Sequence, residues 1–224
     1  MNKTPQNIEE FELLVFDWDG TICDSLGHIV ASLQYAISCM AFAERSEDQL
    51  RNIIGLGLLE AMERLYPGIS SQQREQLAIH YREYYLGNAS RSTSVFEGVE
   101  QTIKGLHERG HTLAVATGKS RKGLDHALQE SGLGDLFHFS RCADETFSKP
   151  HPQMLQEIMD LAAVEPSATL MVGDSEHDLQ MASNAGVRAA AVSYGAQPME
   201  YLVKFNPVVC FHSLNELPDW LAAG

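Results

Sequence analysis

Leu13-Leu14-Val15-Phe16 is a short, unbroken apolar run between Glu12 and Asp17-Trp18-Asp19-Gly20. Thr112-Leu113-Ala114-Val115-Ala116, Ala168-Thr169-Leu170-Met171-Val172, Val187 to Val192 and Val208-Val209-Cys210 repeat the pattern, and Phe137-His138-Phe139 is a weaker example. None of the five clear runs alternates apolar with polar positions. A strand reads this way when both of its faces are covered, as in a parallel sheet between helices. Between the runs the period changes to that of a helix. Val99, Ile103 and Leu106 share one face of a segment that Gly110 stops, and Leu124, Ala127 and Leu128 share one face of Ser120 to Ser131, stopped by Gly132. Pro152 to Ala163 carries Leu155, Ile158, Met159 and Ala162, and Ser175 to Ala185 precedes Gly186. Alternation of strand and helix from about residue 98 onward predicts an α/β fold, doubly wound around a mostly parallel sheet.

Residues 24–92 break that rhythm and contain no convincing buried strand. Ile29, Leu33, Ala36, Ile37 and Met40 fit one helical face. Leu50, Ile53 and Ile54 predict a second helix that ends at Gly55-Leu56-Gly57. Leu58 to Leu65 predicts a third, closed by Pro67-Gly68, and Ser70 to Leu86 a fourth, with Leu77, His80-Tyr81 and Tyr84-Tyr85 along it. Four helices can bury their faces against one another. The segment is therefore expected to be an all-helical cap, residues 24–92, inserted into a core built from residues 1–23 and 93–224. Extra helices packed directly on that core are the alternative.

Charge narrows the partners. The 224 residues carry 16 Lys and Arg against 30 Asp and Glu, a formal charge of −14. Such a surface is unsuited to broad contact with nucleic acid or with anionic membrane. No apolar stretch approaches the ~20 residues of a membrane span. Met1 to Glu10 lacks the apolar segment of a signal peptide. Cys23, Cys39, Cys142 and Cys210 lie far apart with no CxxC pair, so reduced thiols in a cytoplasm are expected. There is no internal repeat, no low-complexity run, and no sign of an obligate protein partner.

Open parallel sheets bind ligands at the carboxyl ends of their strands, and polar groups follow three of the runs. After the first come Asp17 and Asp19, two apart, with Gly20 permitting a sharp turn. One carboxylate can serve as nucleophile and the other as general acid and base; an Asx-rich turn is the plainer reading. Thr117-Gly118 precedes a helix, where a hydroxyl and free N–H groups would hold an anion or simply cap. Asp174 and Asp178 are four apart at another helix start, suited to a metal site or to capping. Carboxylates gathered at one place repel unless a cation lies among them, and an all-oxygen set favours a hard ion such as Mg²⁺. Lys149, in Lys149-Pro150-His151-Pro152, could neutralise a phosphate or a carboxylate, or be solvated.

In this order, Asp17-Trp18-Asp19-Gly20-Thr21, Thr117, Lys149 and Gly173-Asp174 with Asp178 resemble the four motifs of the haloacid dehalogenase (HAD) superfamily. The helical segment lies where that superfamily inserts its C1 cap. Ile54-Gly55-Leu56-Gly57 resembles the cap specificity loop of the phosphoglycolate phosphatase-like group, and Ala114-Val115-Ala116-Thr117-Gly118-Lys119 its second motif. The resemblance covers nearly the whole chain. It implies a HAD-like Rossmannoid core and a Mg²⁺-dependent phosphomonoesterase acting on a small phosphorylated metabolite, such as phosphoglycolate or a sugar phosphate.

The resemblance also implies roles. Asp17 would attack phosphorus and become an aspartyl phosphate. Asp19 would protonate the leaving oxygen and then activate water. Thr117 and the N–H of Gly118 would bind the phosphoryl group, and Lys149 would hold Asp17 and the phosphate. Mg²⁺ would sit on Asp17, the carbonyl of Asp19, and Asp174. Asp178 would be a ligand through water or a partner of Lys149. Gly55-Leu56-Gly57 would set specificity, and Arg51 would contact a substrate anion or remain a solvated helix arginine.

Other branches are weighed by residues present or absent. Dehalogenases lack the second aspartate of the first motif, and Asp19 is here. Phosphonatases use a cap lysine, and none lies between Lys3 and Lys104. The β-phosphoglucomutase-like branch keeps both aspartates and a histidine in the first cap helix; His28 lies one residue out of register, and a sugar-phosphate mutase is the alternative reading. A non-catalytic HAD-fold binding protein is a third. Trp18, bulkier than the leucine or methionine common between the two aspartates, is expected to point into packing.

Overall fold

The computed structural model describes residues 11–88 and 94–223. The first apolar run is strand β1 (Leu13–Phe16), followed by β2 (Cys23–Asp24). Four helices come next: α1 (Leu26–Cys39), α2 (Glu47–Arg51), α3 (Leu58–Leu65) and α4 (Ser71–Gly87). The chain then alternates through β3 (Ser94–Val95), α5 (Val99–Glu108), β4 (Thr112–Thr117), α6 (Arg121–Ser131), β5 (Phe139–Cys142), α7 (Gln153–Ala162), β6 (Thr169–Gly173) and α8 (Glu176–Asn184). It closes with β7 (Arg188–Val192), α9 (Met199–Leu202), β8 (Val209–Phe211) and α10 (Leu217–Ala222). The expected cap–core junction at residues 92 and 93, and Met1 to Glu10, lie outside the described residues. Among the described residues no helix is long and apolar enough to cross a membrane.

Six strands form one parallel sheet in the order β5-β4-β1-β6-β7-β8. The unbroken apolar runs follow from what covers the two faces. Leu14, Phe16, Leu113, Val115, Leu170 and Val172 face α5, α6 and α10 through Val99, Ile103, Leu106, Leu124, Leu217 and Leu221. The alternate positions Leu13, Val15, Ala114, Ala116 and Met171 face α7 and α8 through Leu155, Ile158, Leu179 and Ala182. The central strands β1, β4 and β6 are thus buried almost throughout because they meet helices on both sides.

The first four helices form their own apolar cluster. Leu26, Ile29, Leu33, Ala36 and Ile37 pack with Leu50, Ile53, Met62, Leu65 and Leu77, and among the described residues of the sheet-bearing part only Ala196 joins them. Capping boxes start two of these helices, Ser46 with Gln49 on α2 and Ser70 with Gln73 on α4. The two-stranded ribbon β2–β3 closes the stem below the helices, pairing Cys23 with Val95 and Asp24 with Ser94.

Two boundaries differ from the sequence reading. The second helix stops at Arg51 rather than at Gly55-Leu56-Gly57. The backbone turns from Asn52 onward because the Asn52 carbonyl faces the core, accepting from His177 Nε2 at 3.0 Å, and Gly55 takes a positive φ of 99°. The strand expected at Phe137-His138-Phe139 begins only at Phe139, because the His138 ring accepts the Leu113 N–H at 3.1 Å at the mouth of the ladder.

Candidate active site

After β1 the chain builds β4 and β5 on one side of it, then β6, β7 and β8 on the other. The strand order therefore reverses at β1, and the crevice outside its carboxyl end is the place where such sheets bind ligands. Asp17 leaves β1 there, Thr117 ends β4, and Gly173-Asp174 follows from β6.

A tight turn follows Asp17. The Trp18 carbonyl accepts from the N–H groups of Ile22 and Cys23 at 3.0 and 2.9 Å, and Gly20 sits at a φ of 85°. A Cβ at Gly20 would collide with the Asp174 carboxylate. Trp18 points into packing as expected, 1% exposed and edge-on to Phe137. Its Nε1 has no hydrogen-bond partner among the described residues.

Lys149 is buried and joins two acids. Its Nζ lies 2.5 Å from Asp17 Oδ1 and 2.6 Å from Asp178 Oδ1. Asp178 also caps α8, where its Oδ2 accepts from the Ser175 N–H at 3.1 Å and hydroxyl at 2.6 Å. The helix-start reading and the site reading of Asp178 therefore both hold, one on each oxygen. Asp174 is fixed by the Thr21 hydroxyl at 3.0 Å on Oδ1 and by the Ala196 N–H at 2.6 Å on Oδ2.

Asp19 faces elsewhere. Its Oδ1 accepts the Ser25 hydroxyl at 2.5 Å and pairs with Lys119 Nζ at 2.9 Å. Lys119 in turn donates to the Tyr85 hydroxyl on α4 at 3.1 Å. The Thr117 hydroxyl is buried and accepts the Lys119 N–H at 3.2 Å.

The helical segment reaches the site through the loop after Asn52. A Cβ at Gly118 would meet the carbonyl oxygens of Leu56 and Gly55, the latter at 2.7 Å. The Gly57 N–H donates to Ser148 Oγ at 2.7 Å, one residue before Lys149. Gly55, Leu56 and Gly57 are thus brought to the site. Arg51 is not brought among the carboxylates. It pairs with Glu47 at 2.9 Å and lines an open groove of about 590 Å³ with Arg45, Arg64, Glu176 and Tyr201. None of Asp17, Asp19, Thr117 or Lys149 lines that groove.

Burial pushes the Asp17 carboxyl well above its usual range; Lys149 opposes the shift, and Asp178, Asp174 and Asp19 add to it. Burial and Asp178 raise Asp174 to about 7 against the Ala196 N–H, Thr21 and Lys149. Burial alone would lower Lys149, but Asp17 and Asp178 outweigh it and hold the ammonium charged. Lys119 is likewise kept charged by Asp19 against its burial.

The donor set fits a hard divalent cation. Oxygens of Asp17, Asp174 and Asp178 lie within 4.8 Å of one another, and the set offers no nitrogen or sulfur. When ionised, Asp17, Asp174 and Asp178 face one ammonium group, Lys149, so two negative charges are left over. A cation of charge +2 cancels that excess and reverses the upward pull on the acids.

Sequence reasoning missed Ser25, Lys119, Tyr85, Ser148 and Ala196. Lys119 was within reach, two residues beyond Thr117 on the same loop. Tyr85 and Ala196 carry no local signal, since each meets the site only through tertiary packing.

Residues 14–192 match the model of the haloacid dehalogenase-like hydrolase family. The chain belongs to that family. Among curated HAD-like relatives, the phosphoglycolate phosphatase of Vibrio vulnificus strain YJ016 is 30% identical over 220 residues, spanning 94% of this chain and 96% of the relative. Pyrophosphatase PpaX of Halalkalibacterium halodurans is 29% identical over 211 residues, with the same two shares. A crystal structure of a hydrolase from Pseudomonas syringae superposes with a TM-score of 0.87 at 17% identity, covering 95% of this chain and 98% of that one. The HAD-like core is thus the six-stranded parallel sheet and its helices, and Asp17, Thr117 and Asp174 lie at the carboxyl ends of β1, β4 and β6, with Lys149 against Asp17.

Proposed function

We propose that this HAD-family phosphatase hydrolyses monoesters of a small phosphorylated metabolite in a Mg²⁺-dependent reaction, through an aspartyl phosphate on Asp17. The observation that carries this is the clamp on Asp17: Lys149 holds Oδ1 at 2.5 Å at the strand-order reversal, with Asp174 and Asp178 close by. A buried carboxylate fixed on one oxygen presents the other for attack.

In the first step the Asp17 oxygen bonds to phosphorus as the bond from phosphorus to the ester oxygen breaks, and the Asp19 carboxyl proton passes to that oxygen. In the second, Asp19 takes a proton from water, the water oxygen bonds to phosphorus, and the acyl phosphate bond breaks to return Asp17 and release phosphate. Thr117, the Gly118 N–H and Lys149 would hold the phosphoryl oxygens. Mg²⁺ would be held by Asp17, the Asp19 carbonyl and Asp174, with Asp178 acting through Lys149 or water. The metal supplies charge stabilisation at the transferring group.

Residues 24–92 are proposed as the cap domain on a core of residues 1–23 and 93–224, with Gly55-Leu56-Gly57 over Gly118 limiting access to small substrates. The relatives' names make phosphoglycolate a first candidate, beside sugar phosphates; pyrophosphate, an anhydride rather than an ester, would be cleaved by the same attack on phosphorus. The mutase reading is less well supported, because His28 Nε2 is engaged by the Tyr85 carbonyl at 2.9 Å inside the helical segment. A cytoplasmic setting suits these substrates.

The test is phosphate release from a panel of phosphorylated metabolites, with Mg²⁺ and with EDTA, for the wild type and Asp17→Asn. Release that needs Mg²⁺ and vanishes in the variant supports the reading. Activity that survives Asp17→Asn overturns it.

A further inference from the structure

Asp19 has to present one oxygen to the leaving group and keep it there through two proton transfers. Its Oδ1 is fixed from two sides, by the Ser25 hydroxyl at 2.5 Å and by Lys119 Nζ at 2.9 Å. Both donors take the same oxygen, which frees Oδ2 for the substrate. Ser25 lies between β2 and α1, six residues beyond Asp19. Lys119 comes from the β4–α6 loop, and its backbone is anchored there by its N–H on Thr117 Oγ1 at 3.2 Å and its carbonyl on the Ala143 N–H at 3.0 Å.

An ammonium has three donors and a flexible stem, so a second partner decides where it rests. That partner is the Tyr85 hydroxyl at 3.1 Å, on the last turns of α4. Tyr85 is itself held. Its carbonyl meets His28 Nε2 at 2.9 Å, its ring lies 4.5 Å from the His28 ring, and Tyr81 stacks on it at 5.7 Å. The side chains of Lys119 and Asp19 are each only 11% exposed, so the pair is shielded where α4 covers it.

We infer that Lys119 and Tyr85 are positioning residues for the Asp19 carboxyl: the helical segment, through Tyr85, seats Lys119 on Asp19 Oδ1 and so aims Oδ2 at the leaving oxygen. This rests on Asp19 being the acid and base of the proposed reaction. The seating couples the place of α4 over the site to the aim of the Asp19 carboxyl, since displacing Tyr85 frees Lys119 to leave Oδ1.

The experiment is the dependence of kcat/KM on leaving-group basicity, with Mg²⁺, across phenyl phosphates from p-nitrophenyl phosphate to p-methoxyphenyl phosphate. Wild type, Lys119→Met, Lys119→Arg, Tyr85→Phe and Asp17→Asn are compared, with folding checked by thermal melting. A misaimed acid harms the basic leaving groups most, because these need the proton. Lys119→Met is expected to lose about ten-fold more on the p-methoxy ester than on the p-nitro ester. Tyr85→Phe should tilt the series the same way by less, and Lys119→Arg should restore the wild-type slope. An equal loss across the series, or no loss, overturns the inference while leaving Asp17 as nucleophile. Hydrolysis that persists in Asp17→Asn, or is absent from the wild type, strikes the aspartyl-phosphate reading instead and the inference with it.

Discussion

The Thr21 hydroxyl donates to Asp174 Oδ1 at 3.0 Å, tying the turn after β1 to the end of β6 across the site. The second oxygen of Asp174 is taken by the Ala196 N–H at 2.6 Å, and the space beside it is left by Gly20 and Gly195, where any Cβ would collide with the carboxylate. The chain thus fixes the orientation of one acid from two separate segments, residues 20–21 and 195–196. If Asp174 holds the proposed metal, such partners orient it and tune its affinity.

Thr21→Val keeps the shape of the side chain and removes the donor. The Asp174 carboxylate then loses one of its two fixed partners. Mg²⁺ affinity is expected to fall about ten- to a hundred-fold, with the far-ultraviolet dichroism unchanged. Calorimetric Mg²⁺ titration of the variant beside the wild type reads this directly. Equal affinities would mean that the Thr21 contact serves the turn alone.

What could be read along the chain and what could not divides by how local the cause is. Strand β1 and the polar turns at Asp17, Thr117 and Asp174 were legible because each is a run of adjacent residues, an apolar strand emptied into a polar turn. The helical character of 26–87 was legible from the period of Ile29, Leu33 and Ile37, whose partners lie within the same segment. The end of α2 was not, because Ile53 and Ile54 keep a helical spacing while the Asn52 carbonyl is turned out to His177, a partner 125 residues away. Asp178 was legible as a capping acid and as a site acid, but not as both at once, since that depends on Lys149 reaching its Oδ1. The pairing of Lys119 with Tyr85 joins two segments that give no sign of each other in sequence.

Gly118 is where the loop after α2 touches the turn that follows β4. A methyl there would press on the carbonyls of Leu56 and Gly55, which are backbone and cannot swing aside as a side-chain end does. Gly118→Ala is therefore expected to lift the loop from its seat. The fold should survive with a loss of about 1–3 kcal/mol, and kcat/KM should drop about a hundred-fold, as for ångström-scale misplacement in other sites. Gly105→Ala on α5 meets nothing within 4 Å and is the matched control, expected to stabilise by about 1 kcal/mol with kcat/KM unchanged. Urea unfolding and steady-state kinetics on both variants separate the cases; wild-type kinetics in Gly118→Ala would show that the loop is not part of the working site.

The pH response of Asp174 follows from its surroundings. Burial first, and then Asp178, raise its pKa from an ordinary value of 3.8 to about 7 in the protein without metal. A folded pKa above the unfolded one means that the group favours the folded state fully below about pH 4, and that this contribution is lost as the pH rises through 7. Mg²⁺ needs the ionised carboxylate, so protons compete with it. Three results are expected together. The metal-free protein should unfold at lower urea at pH 8 than at pH 6. Added Mg²⁺ should raise the midpoint more at pH 8 than at pH 6. Binding at pH 6 should release protons, seen as a buffer-dependent heat in calorimetry. Asp174→Asn removes the titrating group, so the pH slope between 4 and 7 should flatten in the metal-free variant and the proton release should shrink. A wild-type Mg²⁺ affinity that stays level from pH 5.5 to 8 would mean that Asp174 already enters the folded protein ionised, held so by Thr21, Ala196 and Lys149.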